Sequence, residues 1–448
     1  LLFIHLVTKY ALIQGFSEEE TDQMKKLGIE TQNELAEKIG VSKHQLSMML
    51  SPNYNPIKSN VIKLCEILNV SLEEITESEQ MELPLEIEES KKNNNLHEDF
   101  VEVRGIKPKK EYKVLELFAG AGGLALGLEQ AGFMSVGNIE VDKHACNTLR
   151  KNRPNWKIIE EDIEKVSEIG IENYIDGISV GELDLLSGGY PCQAFSYAGK
   201  KGGLQDARGT LFFHFGKILD QLKPKMFLAE NVKGLVNHDG GRTLKIMLDV
   251  FSSIGYKVKW KVLNALDYDV AQKRERIVIV GIRNDLIINS PDLDYKFPKP
   301  YGYVLTLKDV LKDVPKSEGA TYPESKKKVL DLVPPGGYWR DLPEDVAKDY
   351  MGKSYYSSGG RTGMARRLSW DEPSLTLTTS PAQKQTERCH PDETRPFTVR
   401  EYARIQSFPD DWVFDCSMSN AYKQIGNAVP VNMAKAIGLS IINTLNQI

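Results

Sequence analysis

One cysteine stands where a reactive side chain would be expected, in the stretch Gly188-Gly-Tyr-Pro-Cys-Gln-Ala-Phe-Ser196. This residue, Cys192, directly follows a proline at the end of an apolar run. A thiolate is a strong nucleophile, whereas most cysteines in proteins are small buried apolar residues. At the end of a strand beside a ligand crevice, Cys192 is predicted to be a nucleophile. The other four cysteines are expected to be buried residues with a structural role. They are Cys65, Cys146, Cys389 and Cys416.

A carboxylate and two arginines accompany similar apolar runs. Glu230 closes one run within Ala229-Glu-Asn-Val-Lys233, and Arg274 and Arg276 precede the run IVIVGI. Glu230 could ordinarily cap a helix or form a surface ion pair, and the two arginines could ordinarily be solvated residues at the edge of a strand. Since the carboxyl ends of neighbouring parallel strands share one edge, Glu230 is predicted to lie beside Cys192. The arginines would there suit a phosphate and a carbonyl oxygen.

A glycine-rich turn follows the first strand, in Phe118-Ala-Gly-Ala-Gly-Gly-Leu124. Glycines permit a tight turn and a close approach of backbone to a ligand at a helix N-terminus. Glu140, twenty residues after Gly120, could accept hydrogen bonds from ribose hydroxyls, and Asp162 could reach an adenine amino group. By itself this set suits a methyl donor and a dinucleotide equally well.

Alternating apolar strands and helices from Tyr112 onward supply the scaffold for these residues and predict a parallel, doubly wound α/β sheet. In such a sheet the first and fourth strands flank the switch point, so Cys192 should lie beside the glycine-rich turn. The predicted strands are 113–119, 135–141, a region at 157–163, 183–189, 225–231 and 276–282. Helices are predicted at 398–407 and after Pro430.

Five segments are predicted along the chain. An all-α unit at 17–76 precedes an acidic linker at 77–110, and the catalytic domain follows at 111–289. A smaller region at 290–395 is rich in Pro, Gly, Ser and Lys. The segment 396–448 returns to the catalytic domain.

The stretch ELAEKIGVSKHQLSMML in the N-terminal unit resembles the helix-turn-helix of Cro/repressor-like domains. Thr31 to Glu34 fits a capping box, and the first helix should end at Gly40. The resemblance implies that Ser42, Lys43, His44 and Gln45 face the major groove of DNA. A small helical bundle that contacts other proteins is the alternative.

The distribution of charge permits a nucleic-acid partner although the net charge is −5. Residues 71–100 hold ten acidic residues against two lysines, a local charge of −8, so the remainder carries +3. The five scattered cysteines, without a CxxC pair, argue against disulfides or structural zinc and favour the cytoplasm. We expect no metal, and no apolar run long enough for a membrane span.

Six motifs together resemble those of bacterial C5-cytosine DNA methyltransferases of type II restriction-modification systems. They are FAGAGG, GGYPCQAFS, ENVKG, QKRER, TVREYARIQSFPDDW and AYKQIGNAVPVN, in the family's order across 113–448. Glu116 stands where Asp is more usual, and Tyr190 where Phe is common. The resemblance implies a methyltransferase fold with a target-recognition domain at 290–395, and S-adenosylmethionine as cofactor.

The resemblance also implies roles for individual residues. Cys192 would add to C6 of a flipped cytosine, Glu230 would hold N3, and Arg276 would contact O2. Arg274 would contact phosphate or the surroundings of Cys192. The cofactor pocket would consist of Phe118, Ala119, Gly120, Gly122, Gly123, Glu140, Val141, Asp162, Ile163, Pro191, Leu211, Asn427, Ala428 and Val429.

The expected partner is duplex DNA, at a target site and at an operator. A glycine-containing loop at 193–210 is predicted to close over the flipped base. The enzyme is expected to act as a monomer and to dimerise on the operator. A tRNA cytosine-5 methyltransferase, or a repressor with a vestigial enzyme domain, remain alternatives. Besides the helix-turn-helix residues, the candidate DNA contacts are Gln193, Ser196, Arg208, Lys233, Gln272, Arg361, Arg366 and Arg367.

Overall fold

The computed structural model describes residues 32–42, 45–46, 56–68, 99–190, 210–357 and 360–448. Several predicted site residues lie outside these ranges. They are Lys43, His44, Pro191, Cys192, Gln193, Ser196 and Arg208, together with most of the predicted 193–210 loop.

A seven-stranded sheet forms the centre of the molecule, in the order β3-β2-β1-β4-β5-β7-β6. Strands β1 to β5 are parallel, and β1 and β4 are direct neighbours, which brings the two predicted ligand turns to one edge. The six predicted strands are confirmed with shifts of a few residues at their ends. The strands are β1 (Tyr112–Leu117), β2 (Phe133–Glu140), β3 (Ile158–Glu160), β4 (Leu185–Gly188), β5 (Met226–Val232), β6 (Tyr256–Asn264) and β7 (Glu275–Arg283).

The sheet differs from the expected parallel one at its far side. Strand β6 was not predicted, and β7 runs antiparallel to both β5 and β6. The missed signal is the alternation in β6, which places Lys257, Lys259 and Lys261 on one face of an edge strand. Lysines are common on edge strands, where they oppose pairing with other chains. Strand direction follows from the connections and cannot be read from an apolar run alone.

Helices cover both faces of the sheet, and the C-terminal pair completes its core. The stretch Met418–Leu445 is long and apolar enough for a membrane helix, but it is broken before Val431, and 83% of its most apolar window is buried. A Cβ at Gly127 would lie 2.4 Å from that of Ala434, so the helices approach closely. The helices are α1 (Gln32–Ile39), α2 (Lys58–Leu68), α3 (Gly123–Ala131), α4 (Lys143–Asn152), α5 (Ile163–Ile169), α6 (Leu211–Leu222), α7 (Arg242–Ile254), α8 (Asn284–Asn289), α9 (Leu307–Val310), α10 (Glu324–Leu330), α11 (Glu344–Met351), α12 (Val399–Ile405), α13 (Met418–Asn427) and α14 (Val431–Leu445).

The acidic linker ends earlier than predicted. Residues Phe100–Val101 pair with Phe297–Pro298, and Val103 is fully buried in the core beneath α14. Asp99 accepts a hydrogen bond from Lys261 of β6. Residues 99–110 therefore belong to the catalytic domain, because their alternating apolar side chains have a surface to cover.

The region predicted as 290–395 also divides differently. Leu293, Tyr295 and Phe297 join the core of the catalytic sheet. A separate apolar cluster, formed by residues between Tyr322 and Cys389, holds the smaller domain together. The predicted start at 290 is therefore about thirty residues too early, since composition alone does not show which core an apolar residue joins.

The N-terminal helices contact the catalytic domain through a short segment. Ile57 bridges to Val304, and Lys58 lies 3.7 Å from Asp269 and over the ring of Tyr303. Helix α1 and the start of the next helix agree with the predicted helix-turn-helix pattern. Ser42 and Gln45 form reciprocal hydrogen bonds of 2.8 and 3.2 Å, each from a backbone N–H to the other residue's side chain. These two side chains therefore cap the helical turn that begins at Gln45.

Candidate active site

A cavity of about 590 Å³ opens at the carboxyl edge of β1, β2, β4 and β5. It collects residues from seven separate stretches of the chain, as expected at the switch point of a doubly wound sheet. Among the predicted cofactor residues, those that line it are Phe118, Ala119, Gly120, Gly123, Glu140, Val141, Leu211, Asn427, Ala428 and Val429.

The glycine-rich turn shapes one wall of this cavity by its backbone. Phe118, Gly120 and Gly122 have φ angles of 58, 55 and 85°, a left-handed region that costs non-glycine residues free energy. Glu140 holds the turn in place. One of its carboxylate oxygens accepts the Gly120 N–H at 2.8 Å, and the other accepts two further backbone N–H groups. The wall is thus fixed before any ligand arrives.

Helix α13 and the residues after it form the opposite wall. Lys423 pairs with Asp142 at 3.0 Å, and Gln424 accepts a hydrogen bond from Thr148 at 2.9 Å. Gly123 approaches this wall so closely that a Cβ there would lie 2.3 Å from the Val429 carbonyl oxygen. Besides the predicted Asn427, four lining residues of α13 were not predicted, although three of them stand in the motif AYKQIGNAVPVN. They are Asn420, Lys423, Gln424 and Gly426.

Glu230 and Arg276 form an ion pair at the floor of the cavity. The Arg276 Nε lies 2.8 Å from Glu230 Oε1, and each side chain is only 12% exposed. Burial raises the pKa of Glu230, although Arg276 and Arg274 oppose the shift. Gly189 leaves room for the carboxylate, because a Cβ at this position would lie 2.8 Å from Glu230 Oε2. A glutamate so placed can gain a proton more readily than an exposed one.

The backbone that leads toward Cys192 is anchored to the same strand end. Asn231 donates a buried hydrogen bond to the Tyr190 carbonyl oxygen at 2.8 Å. Tyr190 lines the cavity, and its ring contacts Phe212 and Phe215. Cys192 follows two residues later, outside the described residues.

The described cysteines differ from a nucleophile in their surroundings. Burial raises the pKa of Cys146 to about 12, and those of Cys389 and Cys416 to about 11. Their thiols stay protonated at neutral pH and are poor nucleophiles.

Comparison with known proteins identifies the family. The model of the C-5 cytosine-specific DNA methylase family matches residues 112–443, and that of the bacteriophage CI repressor helix-turn-helix domain matches 21–81. The chain belongs to the C-5 cytosine-specific DNA methylases.

Its relatives support the same assignment for nearly the whole chain. The type II methyltransferase M.Sau96I of Staphylococcus aureus is 58% identical over 95% of this chain and 97% of its own length. M.Eco47II of Escherichia coli is 59% identical over 75% and 80%. The crystal structure of S. pombe Dnmt2 methyltransferase, at 18% identity, shares the fold with a TM-score of 0.51 over 75% and 99%. The protein is therefore a type II DNA cytosine-5-methyltransferase with an N-terminal helix-turn-helix domain.

Methylases of this family use S-adenosylmethionine, and a buried carboxyl group in the cavity fits its cationic end. Glu116 lines the cavity at 3% exposure, and its Oε2 has no hydrogen-bond partner among the described residues. Burial raises the pKa of Glu116 well above its ordinary value, and Glu140 adds to the shift. A ligand ammonium or sulfonium would supply the missing partner. The sequence signal was the acidic residue directly before the Phe118 turn.

Three predicted cofactor residues of the methylase do not line the cavity. Asp162 instead caps helix α5, where its side chain accepts the Glu164 N–H, and Ile163 is buried in the core. Gly122 faces Leu149, since a Cβ there would lie 2.7 Å from that side chain. Asp162 caps α5 because the N–H groups in the first turn of a helix have no partners within the helix, and Asp162 stands directly before that turn.

Arg274 borders the cavity and also has a structural role. It is 1% exposed, and its guanidinium donates hydrogen bonds to the carbonyl oxygens of Leu377, Gly426 and Ala428. These bonds engage both terminal nitrogens of the guanidinium, whereas its Nε has no hydrogen-bond partner among the described residues. Arg274 ties the target-recognition domain to the cofactor wall.

The predicted DNA contacts fall into buried and exposed sets. Gln272 is fully buried and bonds to Gln406 and Leu377, and Arg367 is 4% exposed with bonds to four carbonyl oxygens and the Thr394 hydroxyl. Neither can reach DNA, because satisfied buried polar groups are costly to expose. Three predicted contacts have exposed or partly exposed side chains. Lys233 pairs with Glu275, Arg366 lies near Glu372, and Arg361 is exposed.

Proposed function

We propose that the protein methylates a cytosine extruded from a specific duplex sequence. The reaction takes place at the edge of the cavity, through a covalent adduct with Cys192. The single observation that carries the proposal is the buried Glu230–Arg276 pair beside the strand end that leads to Tyr190. A carboxyl group and a guanidinium, held side by side, match the N3 and O2 edge of cytosine.

Each side chain has one task in the proposed reaction. The Cys192 thiolate adds to C6, and a protonated Glu230 supplies the proton held at N3, which drains charge from the ring. Arg276 donates a hydrogen bond to O2. S-adenosylmethionine, bound between the glycine-rich turn and α13, supplies the electrophilic methyl group that becomes attached to C5. A base then removes the C5 proton, the C6–sulfur bond breaks to restore the thiolate, and the proton at N3 returns to Glu230.

The target must leave the duplex, since C6 cannot be reached within the base stack. In this proposal Gln193, Ser196 and Arg208 contact DNA from the 193–210 loop, and Lys233 contacts it from the end of β5. The resulting methylation would protect host DNA from a cognate restriction enzyme.

A trapping experiment tests the adduct. A duplex that carries 5-fluorocytosine at the target position lacks the C5 proton, so the adduct cannot resolve. We expect a denaturation-stable complex of protein, DNA and transferred methyl group. Cys192→Ala should give none while still binding cofactor. Absence of the complex with the unaltered protein, on a duplex that it methylates, would refute the covalent route.

Methyl incorporation into duplex DNA and into tRNA separates the two candidate substrates. The expected result is incorporation into DNA alone.

We further propose that the helix-turn-helix domain binds an operator and regulates transcription. The match to the CI repressor domain supports this role. The double variant Lys43→Ala/His44→Ala should lose operator binding and keep full methylation. Operator binding that survives this change would exclude the predicted recognition helix.

A further inference from the structure

The target-recognition domain carries an aromatic surface beside its exposed cations. Its rings form a continuous chain: Tyr338 contacts Trp339 at 6.3 Å, Trp339 contacts Tyr355 at 5.7 Å, and Tyr355 contacts Tyr356 at 5.1 Å. Trp339 is almost buried, whereas Tyr356 is 79% exposed. Tyr356 thus stands exposed at one end of a row of rings that includes the almost buried Trp339.

The stretch that carries Tyr356 is fastened at its base by one buried carboxylate. Glu387, fully buried, accepts hydrogen bonds from the Tyr350 hydroxyl at 2.5 Å and from the Ala365 N–H. Lys326 lies 2.7 Å from the same group. Glu387 therefore joins Tyr350, which precedes Tyr356, to Ala365, which follows Arg361.

Trp339 supports the same stretch from below. Its ring lies under Tyr355, and its Nε1 donates a hydrogen bond to the Gly360 carbonyl oxygen at 3.2 Å. Arg361 and Ala365 have left-handed φ angles of 42 and 44°. Strained backbone persists only where surrounding contacts hold it, and such sites are often functional.

Charge and position favour a nucleic-acid partner for this surface. Residues 350–370 contain no acidic residue, and besides the buried Arg367 they hold three cations, which are Lys353, Arg361 and Arg366. A short series of contacts leads from the stretch to the active-site cavity. A Cβ at Gly363 would touch the Gln385 carbonyl oxygen, Thr386 lies 3.3 Å from Thr378, and Thr378 contacts the cavity residue Gly426.

We propose that Tyr356 is a DNA-contacting residue whose ring stacks on a base of the target duplex, positioned by Trp339 and Glu387. Aromatic rings stack on bases made accessible when the duplex opens, and extrusion of the cytosine opens it. Arg361, at the other end of the exposed stretch, contributes its positive charge. The inference rests on the proposed function, because it needs duplex DNA as substrate.

The test compares variants of the full-length protein on a duplex that contains the methylated site. Tyr356→Ala should lower kcat/KM for DNA by roughly 10- to 100-fold, the range that corresponds to the loss of one base stack. Tyr356→Phe, which keeps the ring, should stay within about threefold of the unaltered protein. The KM for S-adenosylmethionine should not change in either variant.

Two further variants keep the result interpretable. Trp339→Leu, which removes the support beneath Tyr355, should weaken DNA use as Tyr356→Ala does. Ile288→Ala provides the control, because the Ile288 side chain is about as exposed as that of Tyr356. Ile288 lies in α8, which follows the C-terminal end of β7, whereas Arg276 lies at the N-terminal end of that strand. Ile288→Ala should have no effect.

Tyr356→Ala with unchanged kcat/KM for DNA would overturn the inference, as would an equal loss in Tyr356→Phe. Failure of the unaltered protein to methylate any duplex would instead refute the proposed function. The two failures are therefore distinguishable.

Discussion

The cofactor end of the sheet and the target-recognition domain both hold charged residues that the sequence marked as functional, but they use them differently. At the sheet edge Glu140, Glu230 and Arg276 all border the cavity. In the target-recognition domain Arg361 is exposed, whereas Arg367, six residues later, is buried and bonded to carbonyl oxygens.

This difference has a structural cause. At the sheet edge Glu140 and Glu230 stand at or near the carboxyl ends of the parallel strands β2 and β5, and Arg276 stands at the start of the antiparallel β7, so the strand pattern brings all three to one edge. The target-recognition domain has few regular elements, and its loops need internal hydrogen bonds for their backbone carbonyl groups. An arginine can donate hydrogen bonds to these carbonyl oxygens as readily as to DNA. Strand position therefore predicts most of the residues that border the cavity, whereas residue type alone does not show which arginines of the target-recognition domain are exposed.

Glu230→Gln should give the largest effect. Turnover should fall by about 100- to 10,000-fold, the usual range for loss of a general acid, while cofactor binding and thermal stability stay unchanged. The pH profile sharpens this test. Because the pKa of Glu230 is raised, the protonated form persists to higher pH, and kcat should decline as pH rises through that pKa. The glutamine variant should lack this limb. Turnover within tenfold of the unaltered protein would show that Glu230 only shapes the cavity.

Arg367→Met tests the second region and should affect stability rather than contact with DNA. The substitution leaves several buried carbonyl oxygens without donors, and we expect a loss of about 3 kcal/mol in the free energy of unfolding. Denaturant titration of the purified variant measures it. Arg361→Met is the matched control and should stay within about 0.5 kcal/mol, as exposed substitutions do. Equal stability losses in the two variants would remove the contrast between them.

Glu116→Gln should give a smaller, pH-dependent effect on cofactor binding. Burial raises the pKa of the carboxyl group, which favours its neutral form in the free protein, and a bound cation favours its charged form. Binding should therefore release a proton, and affinity should increase as pH rises. In the glutamine variant affinity should fall roughly tenfold and lose this pH dependence, in line with loss of one charged hydrogen bond. Calorimetry in buffers of different ionisation enthalpy detects the proton. No release by the unaltered protein would exclude the pairing.

Much of the cofactor site could be predicted because it consists of short motifs at strand ends. Ten of the fourteen predicted cofactor residues line the cavity, and Pro191 lies outside the described residues. The α13 residues escaped prediction because they approach from a helix distant in sequence, and Lys423 and Gln424 look like ordinary exposed helix residues in isolation.

The sequence by itself determined the family, six of the seven strands of the sheet, and the candidates for the groups that react. Apolar periodicity and the six motifs carry that information locally, within a few residues of each strand end. Tertiary structure alone decided the antiparallel direction of β7, the packing of residues 99–110 onto the sheet, and which arginines reach solvent. These depend on what each side chain meets across the fold, since burial is set by distant neighbours.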